Sequence, residues 1–210
     1  GTFINNKKIT KCDLTGVTGW GTTPTLPELA FVNCAALQEV TLPDDMKVIG
    51  TDAFSGCAAL TTVNLSQVTR INLNAFWGCT SLEMLILDNV TEIGRETFYG
   101  CTSLKTLKIP KCTRFGNYIV TGCKALTRIE ATATGDFLDI IGNSSIENYA
   151  VFHNRDTHSG ENAFAPARCD LVLNTDKQED GTAVPKVSGN NRWTLAANAS
   201  PMMWKSITFR

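Results

Sequence analysis

One short rhythm of apolar and polar positions recurs along the chain. In Leu60-x-x-Val63-x-Leu65, Leu82-x-x-Leu85-x-Leu87 and Leu104-x-x-Leu107-x-Ile109, apolar residues alternate with other positions at period two. That spacing predicts a short strand with one buried face. A Val or Cys follows in each copy (Val68, Val90, Cys112), then Ile71, Ile93 or Phe115, which predicts a brief return segment. Ahead of each strand stands Phe31-Val-Asn-Cys34, Phe54-Ser-Gly-Cys57, Phe76-Trp-Gly-Cys79, Phe98-Tyr-Gly-Cys101 or Val120-Thr-Gly-Cys123. The five cysteines are separated by 23, 22, 22 and 22 residues. One such unit cannot bury its apolar positions alone, but stacked copies bury them against one another and form a continuous core. The predicted strands are parallel, about 4.8 Å apart. Phe3, Phe31, Phe54, Phe76 and Phe98 then form a column that Val120 ends.

A degenerate first copy runs from Phe3 to Val17, since Phe3-Ile-Asn-Asn6-x-x-Ile9-x-x-Cys12-x-Leu14-x-x-Val17 superposes on Phe54 to Val68 without a gap. About six extra residues are expected within the Thr/Pro-rich stretch Gly21–Leu29 before Phe31 restarts the cycle. After Ile129 the register fades, with Ala131 standing where Leu65 and Leu87 stood. Residues 142–210 lose the period and shift toward Asn, Asp, Ser and Thr, although Cys169-Asp-Leu171-Val-Leu173 reads as one more strand, an echo of Cys12-Asp13-Leu14. Trp193, Trp204, Ile207 and Phe209 are suitable material for a cap over the last apolar coil. The expected organisation is therefore a degenerate repeat or cap over 1–30, regular repeats over 31–141 and a cap region over 142–210.

The pattern F-x-G-C-x-S/A-L-x-x-V-x-L-x-x-V-x-x-I-G resembles the BspA-type leucine-rich repeat, over about residues 3–141. The resemblance implies an α/β repeat solenoid dominated by strands, right-handed, of about six coils of 22–23 residues with an irregular β-containing C-terminal cap. It further implies a secreted or cell-surface bacterial protein that binds other proteins or host matrix components. The ending Trp204-Lys-Ser-Ile207-Thr-Phe209 resembles the C-termini of many such proteins, which implies a natural terminus. Gly rather than Met at position 1 reads as a trimmed start, so a native signal or lipid anchor is expected to have preceded it.

Composition narrows the function classes. Nineteen basic against 20 acidic side chains in 210 residues leave a formal charge of −1, which offers no electrostatic footprint for nucleic acid. No window reaches the ~18 consecutive apolar residues of a transmembrane segment. Eight cysteines suggest a disulfide framework at first. Five of them, however, occupy one structural position, with side-chain vectors expected to be parallel, a poor geometry for an S–S bond. They are expected to pack as reduced small hydrophobes. Cys12 and Cys112 stand where other copies have Val63 and Val68. The spacing of His153, His158 and Cys169 matches no tight zinc pattern, and no phosphate loop, nucleophile elbow or metalloprotease motif occurs. The reading is of a protein without catalytic residues, metal or cofactor.

Candidate binding residues come from the exposed strand positions. One column runs Lys11, Glu39, Thr62, Met84, Thr106, Arg128 and the other Asp13, Thr41, Asn64, Ile86, Lys108, Glu130. Met84 and Ile86 place two apolar side chains together at mid-array among Thr62, Asn64, Thr106 and Lys108, which suits a small protein-binding spot with a polar rim. Scattered exposed hydrophobes are also ordinary surface. Trp77 and Tyr99 should lie side by side one coil apart, either to anchor a partner or glycan or to cover the core edge. The polar run His153–Asn162 has the composition of a surface loop. The function expected is a non-catalytic binding module for an extracellular protein or host matrix component, with carbohydrate recognition as the alternative.

Overall fold

The computed structural model describes residues 3–132, 168–174 and 205–209. Each coil carries two short strands. They are β1 (Lys11–Asp13) and β2 (Thr25–Leu26), β3 (Glu39–Thr41) and β4 (Val48–Ile49), β5 (Thr62–Val63) and β6 (Arg70–Ile71), β7 (Met84–Ile86) and β8 (Glu92–Ile93), then β9 (Thr106–Ile109) and β10 (Arg114–Phe115). The sixth coil gives β11 (Arg128–Thr132), and β12 (Asp170–Asn174) and β13 (Ser206–Phe209) follow. All paired strands are parallel. Among the described residues no α-helix forms, so the strands carry the expected solenoid.

The odd-numbered strands and the two C-terminal ones lie on the L-x-x-V-x-L face; β2, β4, β6, β8 and β10 build a second, five-stranded sheet from the return segments. The pairing Thr25↔Val48 and Leu26↔Ile49 corrects the placement of the extra residues. Leu26 occupies the same repeat position as Ile49, Ile71 and Ile93, so the insertion precedes β2 and Thr25–Leu29 belongs to the regular coil. The echo between Cys169 and Cys12 is also corrected, because Leu171 pairs with Ile129, at the repeat position Cys12 holds, and Cys169 lies two residues earlier. Burial alternates along β9 and β11, the neighbours that set this register, and a shift by one there would turn apolar side chains outward.

Between the faces lies a single core. Leu37, Leu60, Leu82, Leu104 and Leu126 enter the first face, Ile49, Ile71 and Ile93 the second, and Phe31, Phe54, Phe76 and Phe98 fill the turn between coils, all of them buried. Successive Phe rings from Phe3 to Phe98 stack with centroids 5.2, 5.4, 5.2 and 6.0 Å apart. The turns also bond coil to coil through the backbone, as in Phe54 N–H to Ala75 O (2.8 Å) and Gly78 N–H to Tyr99 O (2.7 Å). In this way the irregular stretches satisfy their peptide groups without helix.

All eight cysteines are free thiols. In the ladder each thiol donates to the Phe carbonyl one coil back: Cys34 to Phe3 (2.9 Å), Cys57 to Phe31 (3.0 Å), Cys79 to Phe54 (3.1 Å), Cys101 to Phe76 (3.2 Å) and Cys123 to Phe98 (3.1 Å). Burial pushes the Cys57 and Cys101 thiols up to about 12 and raises Cys79 and Cys123 well above the ordinary thiol range. They are neutral donors at physiological pH and poor nucleophiles.

Candidate binding surface on the strand face

Register pairing aligns the predicted columns. Lys11, Glu39 and Thr62 are in line, as are Met84, Thr106 and Arg128, continued by Asp170 and Ser206. Beside them run Asp13 and Thr41, and Ile86, Lys108 and Glu130, continued by Val172 and Thr208. Met84 and Ile86 are 58% and 50% exposed, the most exposed large hydrophobics among the described residues. Charges on the face pair internally: Lys11 with Glu39 (2.7 Å), Glu83 with Lys105 (2.8 Å), Asp88 with Lys108 (3.2 Å), Arg128 with Glu130 (2.6 Å) and Asp170 with Lys205 (2.9 Å). The Asp13 carboxylate accepts from the Thr15 N–H and hydroxyl, which hold its pKa below the usual carboxylate range.

The columns are not continuous, contrary to expectation. The face divides into a three-stranded sheet, β1-β3-β5, and a five-stranded one that begins at β7. Asn64, just after β5, marks a change in the ladder on the β3 side. In the first coil Leu14 N–H donates to the Thr41 carbonyl (2.8 Å). At the equivalent step Leu42 N–H donates instead to the Asn64 side-chain oxygen (2.6 Å), and the Asn64 amide returns a bond to the Leu42 carbonyl (2.9 Å). A carboxamide thus stands in for the main-chain carbonyl at this step, and β5 stops after two residues. Val63 is only half-buried, whereas its equivalents Val40, Leu85 and Leu107 are buried. Between β5 and β7 a cleft of about 230 Å³ opens, lined by Thr61, Thr62, Val63 and Leu65 on one side. Leu82, Met84, Leu85 and Ile86 line the other.

Thus Thr62, Met84 and Ile86 come together around one cleft, Asn64 follows β5 and bonds to the coil before it, and Thr106 and Lys108 lie on the next strand. Trp77 and Tyr99 do not join them. They stack on the turn edge with centroids 5.5 Å apart and planes 7° from parallel, Trp77 being 41% exposed. The apolar floor of the cleft, Val63, Leu65, Leu82 and Leu85, escaped the sequence reading because each looks like an ordinary core position. The only signal was Asn64, a side chain able to imitate a peptide group inside a strand pattern. His153 and His158 lie outside the described residues. Among the described residues no group of three or more His, Cys, Asp and Glu is placed to hold a metal, and no helix is long and apolar enough to cross a membrane.

A family model described as the BspA type leucine-rich repeat region matches residues 2–127 in 6 copies. Among solved structures, the T. pallidum leucine-rich repeat protein TpLRR is similar at 27% identity over 59% of this chain and 59% of that one, with a TM-score of 0.54. A leucine-rich cell surface protein of Faecalibacterium prausnitzii is 26% identical over 58% of this chain and 42% of that one, TM-score 0.41. The pneumococcal vaccine antigen PcpA is 21% identical over 75% of this chain and 36% of that one, TM-score 0.46. The chain therefore spans less than two thirds of these proteins' lengths. No curated protein matches.

Proposed function

The chain belongs to the BspA-type leucine-rich repeat family, a family of protein-interaction modules, and from that premise we propose that it is a non-catalytic binding module of the cell surface or extracellular space. Its partner in this reading is an extracellular protein or host matrix component, engaged through the strand face around Met84 and Ile86. One observation carries the reading: two large apolar side chains stand half or more exposed at mid-face, while the neighbouring charges are already paired within the molecule. Exposed apolar area ringed by polar groups is the usual anatomy of a protein contact. The surface location rests on what the family resemblance implies. In the same proposal a degenerate repeat or cap over residues 1–30 and a cap region over 142–210 flank the repeats 31–141.

A second reading, carbohydrate recognition, is favoured by the near-parallel exposed stack of Trp77 on Tyr99, since flat aromatic faces suit sugar rings. One binding panel separates the two. Immobilised matrix proteins and surface glycans would be probed with the parent chain, with Met84→Asp/Ile86→Lys and with Trp77→Ala/Tyr99→Ala. The protein-binding reading expects saturable binding to a protein, weakened about tenfold or more by the first pair alone. Loss only in the second pair, with glycans bound, supports the carbohydrate reading. Absence of saturable binding by the parent chain to any member of the panel overturns both.

A further inference from the structure

The break between β5 and β7 leaves main-chain groups open as well as apolar surface. Elsewhere on this face the strand entries bond coil to coil: Thr61 N–H to Gln38 O (2.9 Å), Lys105 N–H to Glu83 O (2.8 Å) and Thr127 N–H to Lys105 O (3.0 Å). On the exit side Leu87 N–H bonds Lys108 O (2.9 Å). At the break neither counterpart forms among the described residues. Glu83 N–H does not reach the Thr61 carbonyl, and Leu65 N–H does not reach the Ile86 carbonyl. Each end of the break therefore leaves one donor and one acceptor without the coil-to-coil partner that the other strands have, a pair of the kind a peptide unit complements. Between the ends lie Val63, Leu65, Leu82 and Leu85, with Met84 and Ile86 as walls.

We propose that this cleft is the docking site for an extended polypeptide segment of a partner protein, which seats one large aliphatic or aromatic side chain between β5 and β7 and bonds its backbone to the open groups at the two ends. The proposal rests on the reading of the strand face as a protein-binding surface and names the chemistry of its centre. The volume suits it. An apolar cavity of about 150 Å³ takes a benzene-sized group, so the 230 Å³ here holds one large side chain and part of the adjoining main chain. Charge argues for an uncharged segment: the lining is uncharged, and beside β7 Glu83 is already paired with Lys105 and Asp88 with Lys108. Backbone bonds supply affinity in such strand-like docking, and the side-chain pocket supplies selectivity.

The probe is a set of synthetic uncharged peptides of roughly seven residues, the length of an ordinary strand, with Thr at the flanks and Leu, Phe or Ala at the centre. Calorimetric titration into the full chain is expected to show saturable binding of the Leu and Phe peptides. The Ala peptide should bind about tenfold more weakly or worse, and N-methylation of the central amides should produce a comparable loss. Asn64→Thr, which restores the residue type found at Thr41, should close the break, raise the melting temperature and remove peptide binding. Met84→Thr, at an exposed position, should weaken binding with the melting temperature unchanged, and it serves if Asn64→Thr does not fold. Equal binding of the Ala and Leu peptides, or undiminished binding by Met84→Thr, overturns the proposal. Should Met84→Asp/Ile86→Lys abolish capture of a whole protein while the peptides fail to bind, the cleft proposal falls and the strand-face reading stands. If that pair leaves whole-protein capture intact, both fall.

Discussion

A thiol buried against a column of Phe rings has to donate somewhere, and here the acceptor is the Phe carbonyl one coil back. That carbonyl also accepts the N–H of its own coil's Cys, as Phe54 does from Cys57 (3.0 Å), so both lone pairs are used. Val or Ala at the same position would fill space without supplying the second donor, which gives a physical reason for Cys at this repeat position. The consequence is a pH dependence. Because burial pushes the folded thiols of Cys57, Cys101, Cys112 and Cys169 up to about 12 while the unfolded ones stay at the ordinary 9.0, the folded state holds protons that the unfolded state has released between those values. Stability from these groups is full below about pH 9 and is lost as pH rises toward about 12. Thermal melts from neutral to alkaline pH should show the melting temperature falling only above about 9, and Cys101→Val should flatten that fall. At neutral pH a chromogenic disulfide reagent should react quickly with the half-buried Cys12 alone and with all eight thiols after denaturation.

The element scale is set by how closely one coil lies on the next. Gly94 follows β8, and a methyl carbon added there would lie 2.5 Å from the Leu73 backbone nitrogen and 2.6 Å from the Asn72 carbonyl carbon. Neither contact is a side-chain end that could swing away, so Gly94→Ala should cost about 1–3 kcal/mol, read as a lower denaturation midpoint in urea with little change in slope. Gly78 is needed for a different reason: its φ of 69° is in the left-handed region, and it stacks on Gly56 and Gly100 in the same conformation. The odd-numbered strands were legible because their alternation is steep, and the Phe and Cys columns because one register repeats. The second sheet was not, since strands of two residues carry no alternation. Nor was the position of the first-coil insertion, because Thr25 and Leu26 are recognisable only by their pairing with Val48 and Ile49.

For the whole molecule, the proposed strand-face contact meets a near-zero net charge and charges that pair along that face, so in this reading its specificity comes from shape and apolar contact. Binding of a protein partner should therefore change little between roughly 0.1 M and 1 M salt, over which screening shortens from ~10 to ~3 Å. A steep loss of affinity in a salt titration would place the contact on a charged surface elsewhere. The amino-acid sequence by itself determined the solenoid, its parallel strands, the aromatic and thiol columns and the exposure of Met84 and Ile86, because each follows from one local pattern repeated at fixed spacing. Only the tertiary structure decided where that periodicity fails. Asn64 has the same local setting as Asp13, Thr41 and Ile86, and its effect depends on whether its carboxamide meets the Leu42 peptide group one coil back. That meeting is a long-range event, and so is the division of the face into two sheets with an apolar cleft between them, since neither is carried by a local pattern.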